Sequence, residues 1–179
     1  RGRDSASPLC QSIMTRLHRM NLKGPWDYEW LDGPHDLPSA KVAVESASGE
    51  NEFLLAHTRV RMPSSIEDAW GHVSGRVRFQ RRFQKPTNLE SHERVHVAFD
   101  GLGGTAAVTL NGEPIAELLD VEATQTFDIT DRLRSTNIVA VELSWDPNES
   151  PQSRGGLWAP VAIEIHDASE SEVAETSKT

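Results

Sequence analysis

The sequence predicts an all-β fold, in which about nine or ten short antiparallel strands form a sandwich. Apolar and polar residues alternate through Arg94–Leu110, interrupted at one glycine-rich stretch, and that period is typical of strands with one buried face. Asn111-Gly112 supplies the residue types of a type I′ turn, so Glu113–Ala116 is expected to return as a partner strand. Because two strands cannot bury their apolar face alone, the remaining strands must form a second sheet or close a barrel over it.

Composition limits the kinds of partner. The chain has 179 residues, which fits one domain with a sizeable core. Its 27 acidic and 18 basic residues give a formal net charge of −9, which argues against nucleic-acid binding. No stretch approaches the roughly 20 apolar residues of a membrane helix, so no membrane partner is expected. The single cysteine, Cys10, excludes an internal disulfide and a cysteine-based zinc cluster.

Both ends of the chain are expected to lie outside the sandwich, which is predicted to span residues 22–166. Residues 1–21 are polar and basic, and we expect a flexible or weakly helical leader. They lack the continuous apolar core of a signal peptide, which favours a cytoplasmic location. The chain begins at Arg1 rather than Met, as expected where upstream residues have been removed. Residues 167–179, rich in Ser, Glu and Thr, cannot build a core and are predicted to form an acidic polar tail.

The first half of the sandwich is predicted from alternation and from turn residues. Pro25–Trp30 alternates aromatic with acidic residues, as an outer strand of a sandwich does. A short strand is expected at Lys41–Ser46 and a longer one at Phe53–Met62. Ser64 or Ser65 then caps a helical turn.

Gly75–Gln84 is the next strong strand, and Arg81 lies on its inward face together with apolar residues. A guanidinium cannot be buried without partners, so a carboxylate or several carbonyls are expected around Arg81. We interpret Arg81 as an internal brace between strands, with a ligand contact as the alternative.

The second half is expected to be equally rich in strands. Thr126–Ile129 is predicted as a short strand and Thr130–Leu133 as a capped helical turn. Asn137–Trp145 is dominated by residues that favour strands, and we expect it to be buried largely on both faces. Val161–Ile165 is the predicted final strand.

One motif matches a metal-binding signature that requires a helix, but it lies where a turn and a strand are predicted. His92-Glu93-Arg94-Val95-His96 matches H-E-x-x-H, a zinc signature that functions only on a helix. The second histidine lies in a period-2 run, and four residues of a strand span about 13 Å. Two imidazoles that far apart cannot share an ion with bonds near ~2.0–2.1 Å. We therefore predict a turn followed by a strand, and no metal.

No other residues form a reactive constellation. Carboxylates are plentiful, and no pair is preferred as a glycosidase dyad over a solvated face. Gly101–Gly104 is followed by a strand rather than by a helix N-terminus that would hold a phosphate. We assign no catalytic residue and expect no cofactor.

The tryptophans give a stronger functional indication. Five tryptophans exceed what a small core requires, and indole faces stack on sugar rings while polar neighbours bond the hydroxyls. Trp70 and Trp158 lie in or beside predicted loops, and Arg154 and Gln152 are candidate polar partners of Trp158. For any single tryptophan core packing is the expected role, and Trp70 and Trp158 are exceptions in their placement.

Six motifs occur in an order and at gaps that are specific together, although each is weak alone. They are Gly75 with Phe79–Pro86, Arg94-Val95 with Phe99–Gly101, Val108 with Asn111-Gly112, Phe127–Thr130 with Leu133, Asn137 with Val141, and Gly155–Trp158. Through them the chain resembles, from about Leu22 to Ile165, the N-terminal sugar-binding domain of glycoside hydrolase family 2. That family includes β-galactosidases, β-glucuronidases and β-mannosidases.

The resemblance implies a galactose-binding-like jelly roll. It also implies that the catalytic carboxylates lie elsewhere, because the family carries them on a separate (β/α)₈ barrel, which alone takes ~250 residues. In some relatives the loop before the glycine pair places a carboxylate against the sugar. Here Glu149 alone could serve, and the rest of that loop, including Gln152 and Arg154, departs from the family pattern.

Three functions are consistent with the sequence. The preferred one is a non-catalytic carbohydrate-binding or carbohydrate-associated module. The alternative is an interaction subunit, whose barrel-packing face would meet a protein partner or a second copy of the chain. The least favoured is a glycan-acting enzyme, which would need two carboxylates ~5–9.5 Å apart in a pocket beside Trp70 or Trp158.

Overall fold

The computed structural model describes residues 15–33, 58–149 and 154–168, which form twelve strands and two short helices. The strands are β1 (Thr15–Asn21), β2 (Gly24–Asp32), β3 (Thr58–Met62), β4 (Ser64–Ser65), β5 (Gly75–Gln84), β6 (Glu93–Phe99), β7 (Leu102–Leu110), β8 (Glu113–Val121), β9 (Gln125–Asp128), β10 (Thr136–Trp145), β11 (Gly156–Leu157) and β12 (Val161–Asp167). The helices are α1 (Ile66–Trp70) and a 3₁₀ turn at Thr130–Arg132. Within these ranges no helix is long and apolar enough to cross a membrane.

Two antiparallel sheets enclose one core, which confirms the predicted all-β sandwich. The smaller sheet has the order β1-β12-β6-β9, and the larger has the order β3-β2-β5-β10-β7-β11-β4 with β8 also paired to β7. The inward side chains of β6 (Val95, Val97, Phe99) and of β10 (Val139, Val141, Leu143) are each at most 1% exposed. Each such side chain contributes about 1.5–3 kcal/mol to folding relative to an exposed one.

The alternating stretch that predicted the fold divides between the two sheets. β6 belongs to the smaller sheet, and β7 begins in the larger sheet directly after Asp100 and Gly101. β7 therefore starts inside the predicted glycine loop, where the chain crosses from one layer to the other. The turn that follows is confirmed, because Asn111 and Gly112 have φ values of 54° and 86°, as a type I′ turn requires.

The chain before residue 22 differs from the expected flexible or weakly helical leader. Thr15–Asn21 forms β1, which pairs with β12 along the edge of the smaller sheet. The polar composition of this segment did not reveal the strand, because the partner edge is distant in sequence. Residues 1–14 and 169–179 lie outside the described residues, as does the predicted strand Lys41–Ser46. β3 is the described part of the strand expected at Phe53–Met62.

The expectation that Asn137–Trp145 is buried on both faces is wrong. Burial alternates along β10, and Ile138 on its outer face is 36% exposed. A central strand of a two-layer sandwich is covered on one side only, so high β-propensity on both faces does not indicate two buried faces.

Both predicted helical turns are present, but only the first has the predicted cap, because Ile129 at the N-cap of the second makes no side-chain cap bond. Ser65 caps α1 by accepting a hydrogen bond from the backbone N–H of Asp68 at 3.0 Å. The Thr130 N–H donates to Asp128 Oδ1 at 2.8 Å, directly before the 3₁₀ turn. The predicted strands at Gly75–Gln84 and Val161–Ile165 are also present.

Candidate functional site

A concave space of about 430 Å³ opens at one end of the sandwich, where the ends of five strands meet. We call it the end cavity. It is lined by Asp32 of β2, Ser74 to Arg76 at the start of β5, Gly104 and Thr105 of β7, Leu119 and Asp120 of β8, Ser144 and Trp145 of β10, and Asp146 and Glu149 of the following loop.

Glu149 is held at this cavity by the loop that leaves β10. The Trp145 indole lies directly against Gly155, where an added Cβ would overlap the ring, so the loop returns to the strand it left. The Asp146 carboxylate accepts hydrogen bonds from the backbone N–H and the side-chain amide of Asn148 at 2.9 and 3.0 Å. The Glu149 N–H donates to the Asp146 carbonyl at 3.2 Å, which fixes the turn that carries its exposed side chain.

Asp120 is held on the opposite side by β7. The Gly104 N–H donates to Asp120 Oδ1 at 2.8 Å. Gly104 has a φ of +100°, and a Cβ there would overlap the carbonyl oxygen of Ser144 on β10. Only glycine therefore allows β7 and β10 to approach closely enough to form this wall.

The end cavity is strongly acidic. Four carboxylates line it, and Arg76 is the one guanidinium among the lining residues, with its Nη2 3.5 Å from Glu142 Oε2. Ionised carboxylates are hydrogen-bond acceptors only, and each can take O–H donors from a polyhydroxyl ligand. The cavity is therefore suited to the hydroxyl groups of a neutral sugar and disfavours an anion.

The structure places the predicted tryptophans away from this cavity. Trp70 packs against Tyr28, Trp30 and Phe79, with ring centroids 4.9, 5.3 and 6.1 Å apart. Trp158 is half-buried, and its indole covers Gly101, where a Cβ would overlap the ring.

Among the predicted polar residues, Glu149 alone lines the end cavity. Arg154 is exposed and is absent from the lining residues. Gln152 lies outside the described residues. The structure therefore does not bring Trp70, Trp158 and Glu149 together around one cavity.

Arg81 reaches across the inward side of β5 to the start of β2. Its Nη1 donates to the Pro25 carbonyl at 2.7 Å and its Nη2 to the Lys23 carbonyl at 3.2 Å, while Nε is buried without a partner. These bonds link β5 to the segment that enters β2.

The H-E-x-x-H residues lie in a turn and on β6, not on a helix. His96 is 7% exposed, its Nδ1 has no hydrogen-bond partner, and its ring centroid lies 4.5 Å from that of His166. Burial, together with the neighbouring His166, lowers the pKa of His96 below its ordinary value. Among the described residues, no group of three or more His, Cys, Asp or Glu side chains could hold a metal ion.

The outer face of the smaller sheet, which carries His96 and His166, also carries a row of paired charges. Arg19 of β1 forms ion pairs with Asp100 and with Glu164 of β12. Burial alone would raise the pKa of Asp128, but hydrogen bonds from Thr130 outweigh it and hold that pKa below its ordinary value. The row joins neighbouring strands, so we interpret it as structural.

Four charged residues of the end cavity were missed by the sequence analysis: Asp32, Arg76, Asp120 and Asp146. Each lies within two residues of a strand end. For Asp120 that position was not predicted, because the strand expected to end at Ala116 continues to Val121. What the sequence pattern did not show is which strand ends meet, because the strand order is not sequential.

Comparison with known proteins supports this architecture. Residues 65–168 match a family model described as glycosyl hydrolase 2 galactose-binding domain-like. The β-mannosidases of Bos taurus and Capra hircus are each 20% identical to the chain over 157 residues. These residues are 86% of this chain and 18% of each β-mannosidase, so the chain spans less than a fifth of those relatives.

Solved structures share the fold at low identity. A β-glucuronidase from Faecalibacterium prausnitzii has a TM-score of 0.60 and 18% identity, covering 92% of this chain and 33% of its own. A β-glucuronidase from Ruminococcus gnavus in complex with D-glucaro-d-lactam has a TM-score of 0.61 and 17% identity, covering 90% of this chain and 31% of its own. At such identities the likeness supports the fold alone.

Proposed function

Because the chain belongs to the glycosyl hydrolase 2 galactose-binding domain-like family, we propose that it is a non-catalytic, carbohydrate-associated module whose end cavity contacts a neutral sugar. The observation that carries this proposal is the position of Glu149. It lies in the loop before Gly155 and Gly156, and it shares a cavity of about 430 Å³ with three further carboxylates.

The end cavity offers binding groups on a rigid frame. Asp32, Ser144 and Asp120 lie on strands, so their positions are set by the sheet rather than by the loop. The cavity is open and polar and offers little apolar surface besides Trp145 and Leu119. We therefore expect weak binding, with a Kd on the order of 1 mM, or about −4 kcal/mol.

The relatives support a carbohydrate ligand, and they support catalysis by residues outside this domain. The similar proteins named above are β-mannosidases and β-glucuronidases, and a Bifidobacterium dentium β-glucuronidase complexed with coumarin-3-O-glucuronide also shares the fold, at 18% identity and a TM-score of 0.58. The region shared with this chain is only 18% of each β-mannosidase and 33% of the Faecalibacterium β-glucuronidase. We propose that bond-breaking chemistry belongs to residues outside this domain.

Titration calorimetry with methyl glycosides of galactose, mannose and glucose tests the proposal. Saturable millimolar binding of at least one is expected, and Glu149→Gln should weaken it about fivefold to tenfold, because a charged acceptor is lost. Glu117→Gln removes an exposed carboxylate from β8 outside the cavity and should leave binding unchanged. Absence of binding to all three sugars, or equal binding by E149Q, would overturn the proposal, as would hydrolysis of aryl glycosides by the chain alone.

One observation favours a second function, contact with another copy of the chain. Leu119 is 68% exposed at the rim of the end cavity, and a second copy of the chain that packed on this rim would bury it. Light scattering should then report a mass above 19.8 kDa that Leu119→Ser returns to the monomer value. A monomer at every concentration would remove this alternative.

A further inference from the structure

A second concavity lies on the outer face of the larger sheet and shares no residue with the end cavity. It has a volume of about 550 Å³ and extends across β5, β10 and the turn between β7 and β8. We call it the arginine groove, because Arg78, Arg82 and Arg134 line it.

The shape of the arginine groove follows from the strand register. Ala140 of β10 lies opposite Gln80 of β5 and Thr109 of β7, and Ile138 lies opposite Arg82. Small side chains therefore form the floor, and the longer side chains of β5 rise on one side. Ile138 is 36% exposed, so the floor also offers apolar surface.

The groove carries a net positive charge on a chain of net charge −9, because its three guanidiniums face one carboxylate, Glu142. Glu142 is committed to Arg78, with Oε1 2.6 Å from Nη2, and Arg78 also contacts Glu29 at 3.3 Å. Two guanidiniums are left with little or no neutralisation.

Arg134 and Arg82 are these two residues. Arg134 lies 3.4 Å from Glu113, but the two side chains are 62% and 57% exposed, and ion pairs so exposed contribute little. Arg82 is exposed and has no ion-pair partner among the described residues. Both can accept an anion without first losing a strong intramolecular pair.

We propose that the arginine groove binds an acidic oligosaccharide, with a sugar carboxylate paired to Arg82 and Arg134. The planar guanidinium fork matches a carboxylate in a bidentate pair. The carbohydrate part of this inference rests on the function proposed above, and the anionic part rests on charge complementarity. The volume falls within the ~300–1,000 Å³ of ligand sites, and the floor of Ile138 and Ala140 can take the apolar side of a sugar ring.

The two concavities would then select opposite ligands. The acidic end cavity repels a uronate, and Glu142, the one carboxylate that lines the arginine groove, is already paired with Arg78. Neutral sugars and acidic oligosaccharides therefore bind at different places, and a substitution in one concavity can weaken one ligand without the other.

Calorimetry at low ionic strength with tetragalacturonate, and with a neutral galactose tetrasaccharide, tests the proposal. Tetragalacturonate should bind at least about tenfold more tightly than the neutral oligomer, and added salt should weaken it. Arg82→Gln and Arg134→Gln should each weaken it about tenfold. Arg61→Gln, which removes an exposed guanidinium of β3 outside the groove, should leave it unchanged.

Three results would overturn the arginine groove as an acidic-sugar site. One is binding of tetragalacturonate that neither R82Q nor R134Q weakens. Another is equal affinity for a glutamate peptide of the same charge, which would indicate an acidic protein segment instead. The third is no binding of tetragalacturonate by a sample that still binds neutral sugar through Glu149, since the function proposed above would then stand without this inference. Melting curves of R82Q, R134Q and R61Q check that each variant is folded.

Discussion

At the scale of single residues, one buried amide holds the turn of the β7–β8 hairpin to β10. Asn137 is fully buried, and its Oδ1 accepts hydrogen bonds from the Arg134 N–H at 2.8 Å and from Asn111 Nδ2 at 3.0 Å. Its Nδ2 donates to the Arg134 carbonyl at 2.7 Å. Asn111 Oδ1 in turn accepts from the Ile138 N–H at 2.9 Å. Two asparagines thus satisfy the backbone where three segments meet.

Asn137→Ala should lower the free energy of unfolding by about 1–3 kcal/mol, because buried donors and an acceptor lose their partners. Urea denaturation gives this difference. Asn148→Ala removes an exposed amide and should change stability by no more than about 0.5 kcal/mol. Equal effects of the two substitutions would show that the Asn137 bonds do not stabilise the fold.

His96 makes stability depend on pH. Its pKa in the folded state lies below the ordinary 6.5, so the unfolded chain takes up this proton at a higher pH than the folded chain does. Stability is therefore lost as pH falls through 6.5 toward the folded pKa. Nearby Asp128 and Glu164 favour the proton but do not cancel the shift.

His96→Gln should lose less stability than the unsubstituted protein between about pH 7.5 and about pH 5. Urea denaturation at both values measures the difference. His92→Gln is the matched control, because the His92 side chain is 45% exposed. A pH dependence that H96Q leaves intact would assign the effect to other groups.

At the scale of elements, the sequence predicted the positions of the strands better than it predicted which strands pair with each other. Alternation located β5, β6 and most of β7, and Asn111-Gly112 located the hairpin turn, because side-chain period and positive φ are local properties. β1 was missed, because its strand state depends on pairing with β12 rather than on its own composition.

Substituting Gly112 in the turn and Gly104 in β7 distinguishes the cost of backbone strain from the cost of steric overlap. Gly112→Ala meets no atom within 4 Å at a φ of +86° and should cost about 1–2 kcal/mol. Gly104→Ala adds overlap with the Ser144 carbonyl, so it should cost clearly more and should distort the end cavity. Thermal unfolding compares them, and a smaller loss for G104A than for G112A would contradict the close approach of β7 and β10.

At the scale of the whole molecule, function depends on which strand ends converge. Glu149 was predicted from the family resemblance, and Asp146 lies beside it in the same loop, whereas Asp32 and Asp120 meet it only because non-consecutive strands are neighbours in the larger sheet. Neither Trp70 nor Trp158 lines the end cavity. The indole of Trp70 packs against core aromatic rings and that of Trp158 packs on Gly101, so these ring faces are already covered. Sequence pattern cannot distinguish a covered indole face from one that is free to stack on a sugar.

Chemical-shift mapping by ¹⁵N NMR during titration with the methyl galactoside, mannoside or glucoside that binds tests the central claim most directly. We expect the amide signals of Gly104, Asp120, Asp146 and Glu149 to shift together and to saturate in the millimolar range, while those of Trp70 and its neighbours stay in place. Shifts confined to Trp70 or Trp158, with none at the end cavity, would contradict it.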